Sequence, residues 1–499
     1  MELKFPKTVC KYLNPIVNQV VNQELTQELR LSDGMPDIGR VLAGWGQIIL
    51  RSKEWRSDSA SFSGGLMVWV LYTPEDGTAP RVMESWIPFQ MKWDLPDGHK
   101  EGNIRVQCLL RFVDARSVSA RKIMLRAGVA VQAEAVQPDE AELGTAGEVP
   151  EDVQLLKVVY PVRLPREAGE KTFVMDEELN LPGSCPRPEK LIYYNMQPRI
   201  TEKKVMANRI AFRGNGNLHV LYLSEDGQLH SWDFDLPFSQ LAELEGTYSA
   251  DAQADICMGV TSLELELDDE SHLRLKTGLL EQHMVDDREM LELVEDAYSP
   301  GRVVELDRQM LELPAVLEQK MEPVHAEQSI RQDANLIADA EYLPDFPRQR
   351  RSGDGIQMEL PGQFQTLYYG EDGTLQSSVA RWEGDFQLPA DAQTSVNSTM
   401  LPVERASAIA SQDTIELDAE AALHLTTMGR QGIPMVMGFR LGEQKQPDPN
   451  RPSVILRRAG EARLWDIAKS TGSTVSAIQK ANGLEAEPAA NQILLIPVP

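Results

Sequence analysis

Apolar and polar residues alternate along most of this chain. In "KIMLRAGVAV" the apolar positions are Ile123, Leu125, Ala127, Val129 and Val131. In "LRLKTGLL" the inward positions are Leu273, Leu275, Thr277 and Leu279, and in "IELDAEAALHL" they are Ile415, Leu417, Ala419 and Ala421. Successive side chains of a strand point to opposite faces, so a period of two predicts half-buried strands. The stretch Asn14–Leu25 is ambiguous, because Ile16, Val17, Val20 and Val21 also fit a helix face. The corresponding part further along holds Pro165 and Gly169, which break helices, so a strand is predicted there.

The pattern repeats at long range. "LYTPEDG" (Leu71–Gly77), "LYLSEDG" (Leu221–Gly227) and "LYYGEDG" (Leu367–Gly373) lie 150 and 146 residues apart. Asp-Gly supplies the positive φ of a tight hairpin, so each copy predicts a strand followed by a turn. The flanks repeat as well. Gly64 and Gly214 each stand eight residues before the tyrosine, Glu28, Leu29, Leu31 and Pro36 recur as Glu178, Leu179, Leu181 and Pro186, and "WIPF" (Trp86–Phe89) faces "DLPF" (Asp235–Phe238) one residue out of step. The third copy is looser, with "WEGDF" (Trp382–Phe386) after its turn. A repeat of this length predicts three diverged β domains in series, at 1–150, 151–298 and 299–442. Ala133–Asp152 reads as an acidic loop between the first two, and Asp296–Gly301 as the next seam.

Residues 443–452 are polar and rich in proline, which predicts an extended linker. Residues 453–499 change period. "VILRR" reads as a strand. "LWDIAKSTG" reads as a helix with Leu464, Ile467 and Ala468 on one face, ended by Gly472. "TVSAIQKANG" reads as a second helix with Thr474 as its N-cap, and "QILLIP" as a closing strand. The fold class expected overall is mainly β, with three tandem β-sandwich-like repeats followed by a small βααβ domain.

Net charge is −27, and it is uneven. Residues 453–499 carry five Lys/Arg and four Asp/Glu, hence +1, which leaves −28 on residues 1–452. So acidic a surface repels phosphate backbones, which argues against nucleic acid and anionic membrane as partners. The four cysteines (Cys10, Cys108, Cys185, Cys257) form no CxxC, and free thiols are expected. No apolar run is long enough to span a membrane, and no signal pattern opens the chain, so a cytoplasmic location is expected. The seven histidines form no HExxH, and no G-x-S-x-G or phosphate-binding loop occurs. The Glu-Asp pairs stand on turn tips where adjacent carboxylates diverge, which does not suit glycoside hydrolysis. No catalytic, metal or cofactor site is therefore expected. "RQRR" (Arg348–Arg351) reads as an exposed segment or a basic docking patch, and Trp465 as a core residue.

At Gly460, Leu464, Trp465, Ile467, Ala468, Ile478, Asn482, Gly483, Leu484, Gln492, Leu494, Ile496 and Pro497 the chain resembles the LysM family. "MPDIGRVL", "LYTPEDG" and "IPF" resemble the SPOCS domain of SipL-like spore coat assembly proteins, which carry a C-terminal LysM. The resemblance implies a non-enzymatic scaffold on the mother-cell side of the forespore surface. It implies docking of the LysM on a protein of the coat basement layer, such as its ATPase. LysM modules also bind N-acetylglucosamine polymers, so a peptidoglycan-binding wall protein is the alternative. The groove implied by the family maps to Gly460, Glu461, Ala462, Arg463, Leu464, Asn482, Gly483, Leu484 and Glu485. Its first loop, Glu461-Ala462-Arg463, carries one residue more than the family pattern, which favours a protein partner over a sugar polymer.

Overall fold

The computed structural model describes residues 2–268, 272–353, 355–391, 393–411, 413–446 and 452–498. The first third of the chain forms β1 (Glu2–Lys4), β2 (Lys7–Arg30), β3 (Ile38–Trp55), β4 (Ser59–Pro74), β5 (Arg81–Asp94), β6 (Asn103–Ser119) and β7 (Lys122–Gly144). The second forms β8 (Gln154–Leu179), β9 (Pro188–Met206), β10 (Arg209–Ser224), β11 (Leu229–Glu243), β12 (Gln253–Leu267) and β13 (Leu273–Tyr298). The third forms β14 (Arg302–Arg331), β15 (Leu336–Pro344), β16 (Arg348–Ser352), β17 (Gly355–Tyr369), β18 (Leu375–Pro389), β19 (Ser395–Pro402), β20 (Ser407–Ser411) and β21 (Thr414–Gln444). The chain ends in β22 (Val454–Arg458), α1 (Leu464–Thr471), α2 (Val475–Asn482) and β23 (Ile493–Pro497).

Each third pairs its strands in one order. The sheets β3-β4-β5 and β2-β7-β6 recur as β9-β10-β11 and β8-β13-β12, all antiparallel. In the last third β15 and β16 share the place of one strand against β17, and β19 and β20 share the place of another against β21. Tyr72, Tyr222 and Tyr368 sit at matching places on the middle strands β4, β10 and β17, and all three are buried. The hydroxyls of Tyr72 and Tyr368 reach back to Pro36 O (3.2 Å) and Gln332 Oε1 (3.0 Å), tying each hairpin to the loop before its sheet.

The repeated glycines have a packing reason. Gly64 lies opposite Phe89, and Gly214 lies opposite Phe238. A Cβ on Gly214 would stand 2.5 Å from the Phe238 ring and 2.1 Å from Arg199 O. The third copy exchanges the two sides, placing Leu360 opposite Gly384. The one-residue step between "WIPF" and "DLPF" is absorbed in the turn, since Tyr72 pairs with Arg81 but Tyr222 with His230. Gly77, Gly227 and Gly373 all take positive φ (72°, 81° and 76°).

The expected fold class needs correction. The chain is nearly all β, and its sheets do not divide into three sandwiches in series followed by a separate LysM-type βααβ domain. The long strands run past their own sheets. Cys10, Leu143, Leu164, Leu293, Leu313 and Ile433, from β2, β7, β8, β13, β14 and β21, bury one another in a shared cluster. β1 pairs with β21, so the two ends of the β body join in one sheet. The thirds thus share a core cluster and a sheet instead of standing as separate units in series. The stretch Ala133–Asp152, read as a loop, is β7 as far as Gly144. Glu140 and Glu142 face outward while Ala141 and Leu143 face the shared cluster, and Glu134 is buried.

The C-terminal helices and strands are likewise no free-standing unit. Their core of Leu464, Trp465, Ile467, Ile478, Leu494 and Ile496 is completed by Tyr298 of β13, with Leu156 of β8 beside it. Of the expected linker 443–452, residues 443–444 finish β21 and Lys445 donates to Ser299 O at 2.9 Å. Residues 447–451 lie outside the described residues.

Candidate functional site

At the C-terminal segment the two expected loops come side by side. Gly460, at φ 62°, donates its N–H to Ala490 O (2.9 Å). Glu461 is exposed, and Ala462 packs on the local core. Arg463 is the N-cap of α1, and its guanidinium pairs with Asp466 (3.2 Å) and reaches Glu295 of β13 (3.9 Å). Leu464 is buried, and its N–H donates to Glu487 Oε2 at 2.8 Å, so a carboxylate from the second loop holds the helix start. Asn482 donates to Ile478 O and Leu495 O and accepts from Leu495 N, which fixes the end of α2 on β23. Gly483 is the left-handed C-cap of α2. Leu484 packs inward and Glu485 is exposed.

Trp465 is a core residue against Tyr298, with ring centroids 4.8 Å apart. Its Nε1 donates to Asp296 Oδ2 (2.9 Å), which also takes Lys469 Nζ (2.6 Å), while Arg308 reaches Asp296 Oδ1 (2.8 Å). Burial would raise the Asp296 carboxyl, but these donors hold it below the usual carboxylate value. The sheet β22–β23 turns its other face outward. Leu456 and Leu495 are direct cross-strand partners, Ile493 lies opposite Arg458, and Val454 opposite Pro497. Leu456 is 71% exposed, Ile493 62%, Val454 45% and Leu495 39%.

A second assembly, not foreseen from the sequence, forms where the three thirds meet. Counting eleven residues on from Ile123, Leu273 and Ile415 gives Glu134, Met284 and Thr426. Their cross-strand partners are Arg105, Asp255 and Asn397. These three equivalent positions converge. Arg105 donates to Glu134 Oε2 (Nε, 2.8 Å) and to Asp255 Oδ2 (2.8 Å), and the Asn397 amide donates to Glu134. Burial alone would raise the Asp255 carboxyl, but Arg105, with Lys203 behind it, holds it at about 2. Burial pushes the Cys257 thiol up to about 12 and raises Cys108 further, so neither offers a thiolate nucleophile or ligand.

The second and third copies meet through another polar cluster. Tyr193 Oη and Asn195 Nδ2 donate to Glu341 Oε1 (3.1 and 3.2 Å), Arg405 makes two 2.7 Å bonds to Asp339, and His219 Nδ1 lies 2.8 Å from Asp233. Burial raises Glu341 to about 7, against the pull of Arg405. A cavity of about 1170 Å³ lies between the copies, and Arg105, Glu134, Asp255, Gln197, Glu341 and Asn397 are among its walls. Opposite charges meet across the copies here, as Arg105 does with Asp255, and Glu341 of the third copy takes hydrogen bonds from Tyr193 and Asn195 of the second, so the arrangement joins the copies. One signal in the sequence could have found it: at the 150-residue offset Arg105 becomes Asp255, a charge reversal at an inward position.

The Glu-Asp-Gly motifs carry no chemistry of their own. Asp76 and Asp372 each accept from the backbone N–H two residues on (3.0 Å in both), and Asp226 does the same with Gln228 (2.9 Å). Hydrogen bonds from Thr78, Ser224 and Thr374 hold all three carboxyls below their ordinary value. "RQRR" forms the exposed strand β16. Cys10, Cys108, Cys185 and Cys257 are free. No helix among the described residues is long and apolar enough to cross a membrane.

Residues 188–268 match the family described as SipL, SPOCS domain. The match begins with β9 and ends just beyond β12, so it covers the central strands of the second copy. It suggests a sporulation-related role, in a family not known for enzymes. It does not extend to residues 453–497. No curated protein and no solved structure matches the chain.

Proposed function

We propose that the chain is a non-catalytic scaffold of spore envelope assembly. In this reading residues 1–150, 151–298 and 299–442 are three SPOCS-like copies forming one acidic body at the forespore surface, on the mother-cell side. The C-terminal segment docks a protein of the coat basement layer, such as its ATPase. The observation that carries this is the outward face of β22–β23, where Val454, Leu456, Ile493 and Leu495 form a continuous apolar strip on a small sheet. Such a strip, next to exposed Arg457 and Arg458, suits an acidic, partly apolar protein segment better than a sugar polymer. The loop residues Gly460–Leu464 and Asn482–Glu485 largely serve the segment's own structure, with Glu461, Arg463 and Glu485 left at its rim.

The test uses the full chain and the purified basement ATPase. Leu456→Glu is expected to weaken the complex by about 1–3 kcal/mol with no change in melting temperature. Oligomers of N-acetylglucosamine are expected not to compete. Saturable micromolar binding of those oligomers, with Leu456→Glu leaving ATPase binding unaltered, would establish the wall-binding alternative instead.

A further inference from the structure

The third copy carries a cluster that the scaffold reading does not use. His325 and Glu327 project from the same face of β14, and Asp418 projects beside them from β21. His325 Nε2 lies 2.8 Å from Glu327 Oε1 and 3.0 Å from Asp418 Oδ2, and the three ligand atoms all fall within 4.8 Å of one another. Ligand atoms held about 2.0–2.2 Å from a small divalent cation stand roughly 3.0–3.4 Å apart at neighbouring corners of an octahedron or tetrahedron. The observed spacings need little adjustment to reach that.

Two further observations point the same way. Glu327 and Asp418 are direct cross-strand partners, and like charges in that position destabilise a sheet. Among the described residues no Lys or Arg pairs with Glu327, Asp418 or the neighbouring Glu420, the register partner of His325. On the same sheet Glu305 pairs with Arg440 and Glu322 with Lys320, and on β2–β7 Glu24 pairs with Arg126 and Glu142 with Lys7. Of the three, His325 also lines the central cavity, with Glu420, and His325 and Glu327 are exposed, so a cation there has room for its remaining waters.

We propose that His325, Glu327 and Asp418 bind one zinc-class divalent cation that ties β14 to β21 beside the central cavity. An imidazole with two carboxylates favours zinc or cobalt over magnesium or calcium, which take all-oxygen shells. The sequence hid the site because Asp418 lies on a different strand, 91 residues beyond Glu327.

The test uses the full chain, freed of metal with a chelator and titrated with Zn²⁺ and, for its visible spectrum, with Co²⁺. The expected result is one saturable equivalent, a visible Co²⁺ band showing a nitrogen ligand, and a rise in melting temperature on adding Zn²⁺. His325→Gln and Asp418→Asn are expected each to weaken binding by about 10–100-fold or more, and to abolish the Zn²⁺-dependent rise. Without metal, His325→Gln should melt close to the chelated parent, since His325 is exposed, and Asp418→Asn no lower than it, since that change removes one of two facing carboxylates. Absence of a saturable equivalent, or binding undiminished in both variants, overturns the proposal.

Discussion

Removing Arg105 tests whether the three copies are held together at the polar cluster where they meet. The guanidinium faces two carboxylates, Glu134 from its own copy and Asp255 from the next, and its side chain is 14% exposed. Truncating one member of a buried ion pair strands its partners, which costs about 3–5 kcal/mol. Here two carboxylates are stranded, but the cavity beside them admits water, so Arg105→Ala is expected near the lower end, about 3 kcal/mol. Removing the charges together is a different perturbation. In Arg105→Met/Glu134→Gln/Asp255→Asn nothing is left uncompensated, and stability is expected within about 1 kcal/mol of the parent. Equilibrium unfolding in urea is the assay, because guanidinium salt would itself screen the cluster. The same site makes a pH prediction. The Asp255 carboxyl is held at about 2 against an ordinary 3.8, so it is depressed in the folded protein. Its contribution is present above pH 4 and is lost as pH falls from about 4 towards 2, about 2 kcal/mol in all. If Arg105→Ala costs under 1 kcal/mol, or the triple variant is as damaged as the single one, the copies are not joined electrostatically at this point.

Three other outcomes are expected. Glu341 is raised to about 7, so its contribution is greatest below its unfolded value near 4.5 and is lost as pH rises through 7. Glu341→Gln should flatten the fall in melting temperature between pH 5 and 8, and an unchanged pH profile would count against burial as the cause. Asp296→Ala removes the acceptor shared by Trp465 and Lys469, and should loosen residues 460–497 by about 2 kcal/mol, read as faster amide exchange there with the β body unaffected. Gly214→Ala places a Cβ against Arg199 O and Phe238, and should cost about 1–3 kcal/mol in urea unfolding, whereas a neutral result would refute the packing reason for the repeated glycine.

Much of the strand content was legible, because period-two alternation is a local property. Ile123, Leu273 and Ile415 each begin a run whose inward side chains are buried as the pattern implies. Which partner those side chains meet was not legible. The alternation of Leu143 and Ala141 looks the same whether they face their own copy or two others, and the acidic residues between them disguised a strand as a loop. The C-terminal periodicity placed Leu464, Ile467 and Ile478 inward, yet could not show that Tyr298 completes their core. The family pattern drew attention to Asn482 and Gly483 but passed over Glu487, whose side chain holds the start of α1 from a loop of unremarkable composition. Cross-strand clusters such as His325, Glu327 and Asp418 escape any motif scan, because spacing along one strand carries only part of the set.

Joining three copies in one chain permits chemistry that three identical subunits could not perform. In a symmetric trimer the residue at the place of Arg105 would occur three times around one axis. Three guanidiniums there would repel, and three carboxylates equally. Once the copies are covalently linked each can diverge, and here the equivalent places hold a cation, an anion and an amide: Arg105, Asp255 and Asn397. The same divergence is visible where Gln132 and Gln282 give way to His424 at the equivalent place on β21, and where Gly214 and Phe238 give way to Leu360 and Gly384. The differences between copies therefore specify which copy packs against which. A chain in which Asp255 and Arg105 were exchanged should keep their mutual pair but place the cation away from Glu134 and leave two carboxylates together in the first copy. That swap separates a specific register of copies from simple charge balance. If it unfolds in urea as the parent does, charge balance is sufficient. A loss approaching that of Arg105→Ala would mean that the position of each charge is what orders the copies.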